Sequence, residues 1–348
     1  MTKKPSAEES KIINTIMEKT KELNKNNITR TKAYLDFYLR YPEIHWSFLA
    51  HMVSRNGGWS MSDLKGELLS RLLSKKEKQS YFSFLERGNW LIFQDAYPQL
   101  MLYEESVRKK EPLFWMLPSL NVSFFIETIW DHCWEEPNSP LLTEALIINE
   151  QNYIERRVIQ NEVFIKEVFN TLEFDLQDML SFNQILFPYS DYGMLKLAGQ
   201  TVNQFESLTE RIRLGKRLYS ILFGEDVLNK TVEWAKEHPH TGSRMDYWPD
   251  IFSRVHEGIP SLQYKMKLKS CQLRPGARRI FSPTLQDVWK DVKHEAAEAG
   301  EWFVDFSILD MLKEMDGPGI GNIESDYCQT LEKLELAAFA KKVLSILD

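Results

Sequence analysis

Apolar residues recur at three- and four-residue intervals along most of this chain, the spacing that places side chains on one face of an α-helix. Ile12, Ile13, Ile16, Met17 and Leu23 form such a stripe behind Ser6 and Glu9, which have the spacing of a capping box. Ser60 with Asp63 and Ser74 with Glu77 repeat that start signal. Ser139-Pro140 and Ser282-Pro283 set a cap ahead of a first-turn proline. Helices are expected to begin at all five places, and the stretches 141–185 and 205–237 continue the periodicity around turns at "FPYSDYG" and "FGED". Sustained alternation occurs in "LQYKMKLKSCQL" (262–273), which predicts one short strand pair near 262–281. The expected fold class is all-α, a compact multi-helix domain of about a dozen helices joined by short loops.

Glycine and proline are densest at "DGPGIGN" (316–322). This divides the chain into a single helical domain over 1–316, a linker at 317–323 and a C-terminal amphipathic helix over 324–348.

The stretch "PEIHWSFLAHMVSRNGGW" (42–59) reads as a central helix. Proline opens it, Asn56-Gly57 closes it, and apolar residues spread around its circumference. His45 and His51 lie about 120° apart at 3.6 residues per turn, so they do not chelate one metal. Four-residue spacing instead aligns Glu43, Ser47, His51 and Arg55 in one polar stripe. Such groups can line a cleft, with His51 as acid or base and Arg55 holding an anion. The commoner reading is structural: Ser47 bonded back to its helix, His51 to a buried carbonyl, Arg55 to a neighbouring carboxylate. No oxyanion donors are identifiable beside Ser47 as a nucleophile. Gly57-Gly58 reads as a turn, with Ser60 capping the next helix.

A second polar group lies in "HPHTGSRMDYWPDIF" (238–252), where Ser243 caps a helix start beside His240 and Arg244. No complete metal-ligand set accompanies these histidines, and neither a metal nor another cofactor is expected.

Composition narrows the classes. With 43% hydrophobic residues the chain has material for a large core, and a formal charge of -7 argues against broad nucleic-acid binding. The acid-free segment 258–286 nevertheless holds Lys265, Lys267, Lys269, Arg274, Arg278 and Arg279, a local patch able to meet an acidic partner. A solvated strand edge explains it equally. Cys133, Cys271 and Cys328 are far apart and read as buried thiols of a reducing compartment. No apolar run is long enough to insert in a membrane, and the N-terminus lacks the apolar core of a signal peptide. A cytoplasmic location is expected.

At "NITRTKAYLDFYLRYPEIHWSFLAHMVSRNGGWSMSDLKGELLS" (27–70), "FLERGNWLIFQDAYPQLMLYE" (84–104) and "HTGSRMDYWPDIF" (240–252) the chain resembles the YppC family of bacillus-type bacteria. The resemblance covers most of the chain. That family is of unknown function, so the resemblance implies no catalytic residue.

The leading expectation is a polar pocket that binds an anionic or phosphorylated ligand through His51, Arg55, Asn56, Trp59, His240, Ser243 and Arg244, with Glu43 and Ser47 on the same stripe. It requires Arg55 and Arg244 on one side of the central helix. The alternative is a non-enzymatic interaction protein that docks through segment 265–279 and the C-terminal helix. Enzymatic activity is left open, with His51 its candidate.

Overall fold

A computed structural model describes residues 5–169, 184–202, 204–257, 264–304, 306–313 and 321–347. The first half is α1 (Ala7–Leu23), α2 (Asn27–Tyr38), α3 (His45–Asp63), α4 (Leu69–Leu72), α5 (Lys75–Lys109), α6 (Phe124–Glu135) and α7 (Ser139–Ile154). A hairpin, β1 (Gln184–Asp191) and β2 (Met194–Thr201), leads to α8 (Leu208–Leu222) and α9 (Leu228–Glu237). After a region of short strands comes α10 (Glu324–Leu347). The architecture is mostly helical, as the periodicity predicts.

Capping boxes form as expected at Ser6 with Glu9 and at Ser74 with Glu77. α7 starts at Ser139 with Pro140 in its first turn, although Asn138 supplies the capping oxygen. Ser282-Pro283 precedes only the single turn Leu285–Val288, capped by Thr284. Ser60 and Asp63 start nothing: both lie inside α3, which does not stop at Gly57 but runs through both glycines to Asp63. The opening also differs, for Pro42 lies in a turn and the helix begins at His45. α3 continues because the bare Cα of Gly58 admits Asn27 and His240 close against the helix while its backbone hydrogen bonds are kept.

α3 is the hub. It packs against α2, α5, α7, α8 and β1, and Trp46, Phe48, Met52 and Trp59 on it are buried. α5, at 35 residues, spans about 52 Å at 1.5 Å per residue and lies along α1, α2, α3 and α7.

The sequence reading did not anticipate the hairpin. Its strands pair antiparallel from Gln184↔Thr201 to Asp191↔Met194. Tyr192 and Gly193 turn it with positive φ of 48° and 75°, the two-residue geometry that suits strand twist. The short pair expected near 262–281 is present, Leu268–Lys269 against Gln272–Leu273, beside a parallel pair of Phe252–Ser253 with Ile280–Phe281. Residues 170–183 of the expected helical stretch, 258–263 of the acid-free segment and 317–320 of the expected linker lie outside the described residues.

α10 packs on the main body through Tyr327, Leu331, Leu334 and Ala338. Its buried Glu335 accepts bonds from Tyr264 Oη at 2.7 Å and from the backbone N–H groups of Lys267 and Leu268 at 2.6 and 2.9 Å. A disulfide joins Cys271 to Cys328, which corrects the reading of three separate thiols; Cys133 alone is free. Sequence separation conceals the pairing because the turn carrying Cys271 folds onto α10. With the bridge present, cysteine usage no longer argues for a reducing compartment. Among the described residues, no helix is long and apolar enough to cross a membrane.

Candidate functional site

α3 presents two stripes to different neighbours. One, at four-residue spacing, is His51, Arg55, Trp59 and Asp63, all buried. Continuation of α3 past Gly57 thus lengthens the polar stripe expected from the sequence. Opposite it lies segment 238–247, which ends in a single 3-10 turn, Arg244–Asp246, capped by Ser243.

His51 Nδ1 lies 2.8 Å from the Thr31 carbonyl, an acceptor only, so Nδ1 carries the proton and the buried Nε2 presents a lone pair with no partner. Burial, then the neighbouring Arg55, hold its pKa down at about 3. His240 is arranged similarly. Its Nε2 donates to Asn27 Oδ1 at 2.8 Å, since the Asn27 amide N–H is engaged by the Ser54 carbonyl at 3.0 Å. Its Nδ1 has no hydrogen bond and stands 3.8 Å from Asp246. Burial, then Arg55 and His51, hold this imidazole well below its ordinary range. Both rings are therefore neutral at pH 7.

Arg55 is the anomaly. It is fully buried, and Nη1 donates to the His238 carbonyl at 2.6 Å. Its guanidinium lies 4.6 Å from the Trp234 ring centre and 5.6 Å from that of Tyr247. Nε and Nη2 have no partner, and no carboxylate pairs with Arg55 among the described residues. Trp59 Nε1 and Tyr247 Oη are also buried without partners. The Tyr247 hydroxyl faces Arg55 and Trp59, at longer range than the bonds above; burial pushes its pKa up to about 12, against the pull of these two donors.

Arg244 makes the contrast. It pairs with Asp63, donates to Tyr327 Oη at 2.9 Å and lies 4.2 Å from the Trp59 ring centre. Arg55 and Arg244 thus stand on the same side of α3, around Trp59 and Tyr247. Arg244 is neutralised and Arg55 is not.

A buried charge left without a counter-charge costs several kcal/mol. Here it lies among the unpartnered donors of Trp59 and Tyr247, with the neutral rings of His51 and His240 near enough to feel its charge. An oxyanion is the group that satisfies such donors. Trp234, His238 and Tyr247 also line an open cleft of about 890 Å³, so Arg55 lies one side-chain layer beneath it. Glu233, Glu237 and Asp250 share that cleft with Lys230.

His51, Arg55, Trp59, His240 and Arg244 are brought together, and the side chains of the other expected site residues bond elsewhere. Glu43 accepts from Tyr103 Oη at 2.8 Å, and Ser47 donates to the Ile44 carbonyl at 2.7 Å. Asn56 clamps the backbone of Leu186, donating at 3.0 Å and accepting at 2.9 Å. Ser243 donates to the Ser282 carbonyl at 2.6 Å. Sequence reasoning missed Trp234, Tyr247 and Asn27. Tyr247 lay inside a stretch already singled out, but nothing local marks its hydroxyl as unpartnered. Among the described residues, no group of three or more His, Cys, Asp or Glu is arranged to hold a metal ion.

The basic segment is partly neutralised. Lys267 pairs with Glu67 at 2.7 Å and Arg279 with Glu257 at 2.6 Å, while Lys265, Lys269, Arg274 and Arg278 are exposed.

The sequence profile of DUF2515, described as a protein of unknown function, matches residues 22–318. The uncharacterized protein YppC of Bacillus subtilis (strain 168) is 46% identical over 239 residues, which cover 68% of this chain and 73% of that relative. No solved structure matches.

Proposed function

We propose that this chain, which belongs to the DUF2515 family, binds a small acid whose oxyanion pairs with Arg55. The observation that carries this reading is the buried Arg55 guanidinium, without a carboxylate and with Nε and Nη2 unpartnered. In the bound state Trp59 Nε1 and Tyr247 Oη complete the donor set. The lone pairs of His51 and His240 accept the acid's remaining proton or take one up from solvent. The ligand enters from the outer cleft as Trp234 and Tyr247 turn aside. Glu233, Glu237 and Asp250 at that cleft repel a polyanion, so the rest of the ligand is neutral or cationic.

The test compares wild type with Arg55→Met by thermal unfolding in chloride buffer, then with added acetate or inorganic phosphate. Replacing an unpaired buried charge by an apolar side chain is neutral or stabilising, so the variant is expected to match or exceed wild type without added anion. Acetate or phosphate should raise the wild-type Tm by a few degrees when present at about 100 times Kd, more at pH 6 than at pH 8, and leave the variant unmoved. A wild type indifferent to both anions, or a variant that still responds, overturns the reading.

A further inference from the structure

The other stripe of α3 faces a second space of opposite chemistry. Trp46, Ala50, Val53 and Gly57 border a partly open cavity of about 260 Å³ lined by α2, α3, α5, α7, β1 and α8. A cavity of about 150 Å³ already accommodates benzene, so this one takes a body larger than one ring. Its wall is mainly aliphatic, including Ile92, Ile147 and Leu214.

One carboxyl group stands in this wall. Glu150, on α7, is surrounded by protein yet only half-buried, so the surface it keeps faces the cavity. Gln151 Nε2 donates to it at 3.1 Å and Trp46 adds a second bond, but no cation pairs with it among the described residues. Burial pushes its pKa up to about 8. The charged and titratable groups around it are accounted for. Arg30 on α2 is paired with Glu86 at 2.5 Å, and Arg211 on α8 is paired with Glu155. Tyr34 on α2 is held in its neutral form, and Asp95 on α5 bears on Glu150 as a like charge. Gln184 Oε1, on another wall residue, is an acceptor without a donor. The cavity therefore lacks an unpaired positive charge; Gln184 Oε1 is its unmet acceptor, and Arg30 Nε and Tyr34 Oη are the unmet polar atoms on the α2 side.

We infer that this cavity binds a small apolar amine, its ammonium paired with Glu150 and its hydrocarbon set against the aliphatic wall. An acid finds no free counter-charge here, because both guanidinium groups are already neutralised. The indole of Trp46 adds a π face suited to a cation. The inference is independent of Arg55, which lies on the opposite stripe.

Calorimetric titration of the full chain at pH 7 with benzylamine, benzyl alcohol and benzoate tests it, each in two buffers of different ionisation heat. Benzylamine should bind one-to-one with release of close to one proton, as Glu150 gives up its proton to form the pair. Glu150→Gln should weaken benzylamine by about tenfold or more and leave benzyl alcohol little changed. Tighter binding of benzoate or benzyl alcohol by wild type, binding of benzylamine without proton release, unchanged benzylamine affinity in the variant, or no binding of any probe each overturns the inference. If Glu150→Gln does not fold, the wild-type proton count and the order of the three affinities decide alone. A wild type that binds benzylamine but ignores acetate and phosphate would sink the Arg55 reading and leave this one standing.

Discussion

Gly58 and His240 compete for the same space: a Cβ at position 58 would lie 2.4 Å from Nε2 of His240 and 2.4 Å from Oδ1 of Asn27. That clearance lets the hydrogen bond between His240 and Asn27 lie directly on the helix surface. The neighbouring glycine is different. A Cβ at Gly57 would meet nothing closer than Asn89 Nδ2 at 3.4 Å, an ordinary contact.

Alanine at the two positions should therefore act with opposite signs. Gly57→Ala is expected to stabilise by up to about 1 kcal/mol, the usual gain in a helix interior. Gly58→Ala should cost about 1–3 kcal/mol through overpacking. Urea midpoints at constant m-value measure both, and a Gly58→Ala protein at least as stable as wild type would refute the assigned role.

The neutral histidine makes the fold sensitive to acid. His51 titrates at about 3 in the folded chain against an ordinary 6.5. Above pH 6.5 neither state binds the proton. As pH falls below 6.5 the unfolded chain takes it up and the folded chain does not, so stability is lost at about 1.4 kcal/mol per unit down to about pH 3. His51→Asn keeps a donor for the Thr31 carbonyl and should flatten that slope between pH 6.5 and 5. An unchanged slope would mean that His51 is not the source.

Asp95 has the opposite dependence. Burial pushes its carboxyl up to about 7, against bonds from Asn149 and Gln99. Below about pH 4 both states are protonated. Between there and pH 7 only the folded state keeps the proton, so stability falls as pH rises at about 1.4 kcal/mol per unit. Asp95→Asn should gain on wild type from pH 5 to pH 7.5 by a few kcal/mol in chemical unfolding, and equal changes in the two proteins would argue against it.

The Cys271–Cys328 bridge closes a loop across a separation of 57 residues. Chain entropy assigns such a loop about 4 kcal/mol, so Cys271→Ser should lower the unfolding free energy by up to that amount in non-reducing buffer. Thiol titration of denatured wild type should find one reactive cysteine before reduction and three after. Three before reduction would show that the bridge does not form.

The helix starts at Ser6 and Ser74 were legible because a capping box is local: all its atoms lie within one turn. The end of α3 was misread because a glycine pair signals a turn when its neighbours in sequence are all that is known. Its cause here is tertiary, supplied by Asn27 and His240. The hairpin was hidden by Pro188 in β1 and by flanking runs too short to establish a period. At the site, the sequence marked His51, Arg55, Trp59 and His240 as polar and potentially adjacent. It could not show that Arg244 has an acid and Arg55 has none, since that depends on Asp63 lying two turns beyond Arg55 on the same stripe.

The partners of that stripe on its segment-238 side come from far along the chain. Trp234, His238 and Tyr247 cover Arg55, while Asp63 waits for Arg244, which itself waits for Tyr327. During synthesis from the N-terminus, α3 can form early, but its inner charges stay in water until the chain as far as Tyr327 has left the ribosome. Contacts this remote in sequence form slowly. The nascent protein is thus held open along its central helix until α10 has been made and Tyr327 completes the closure.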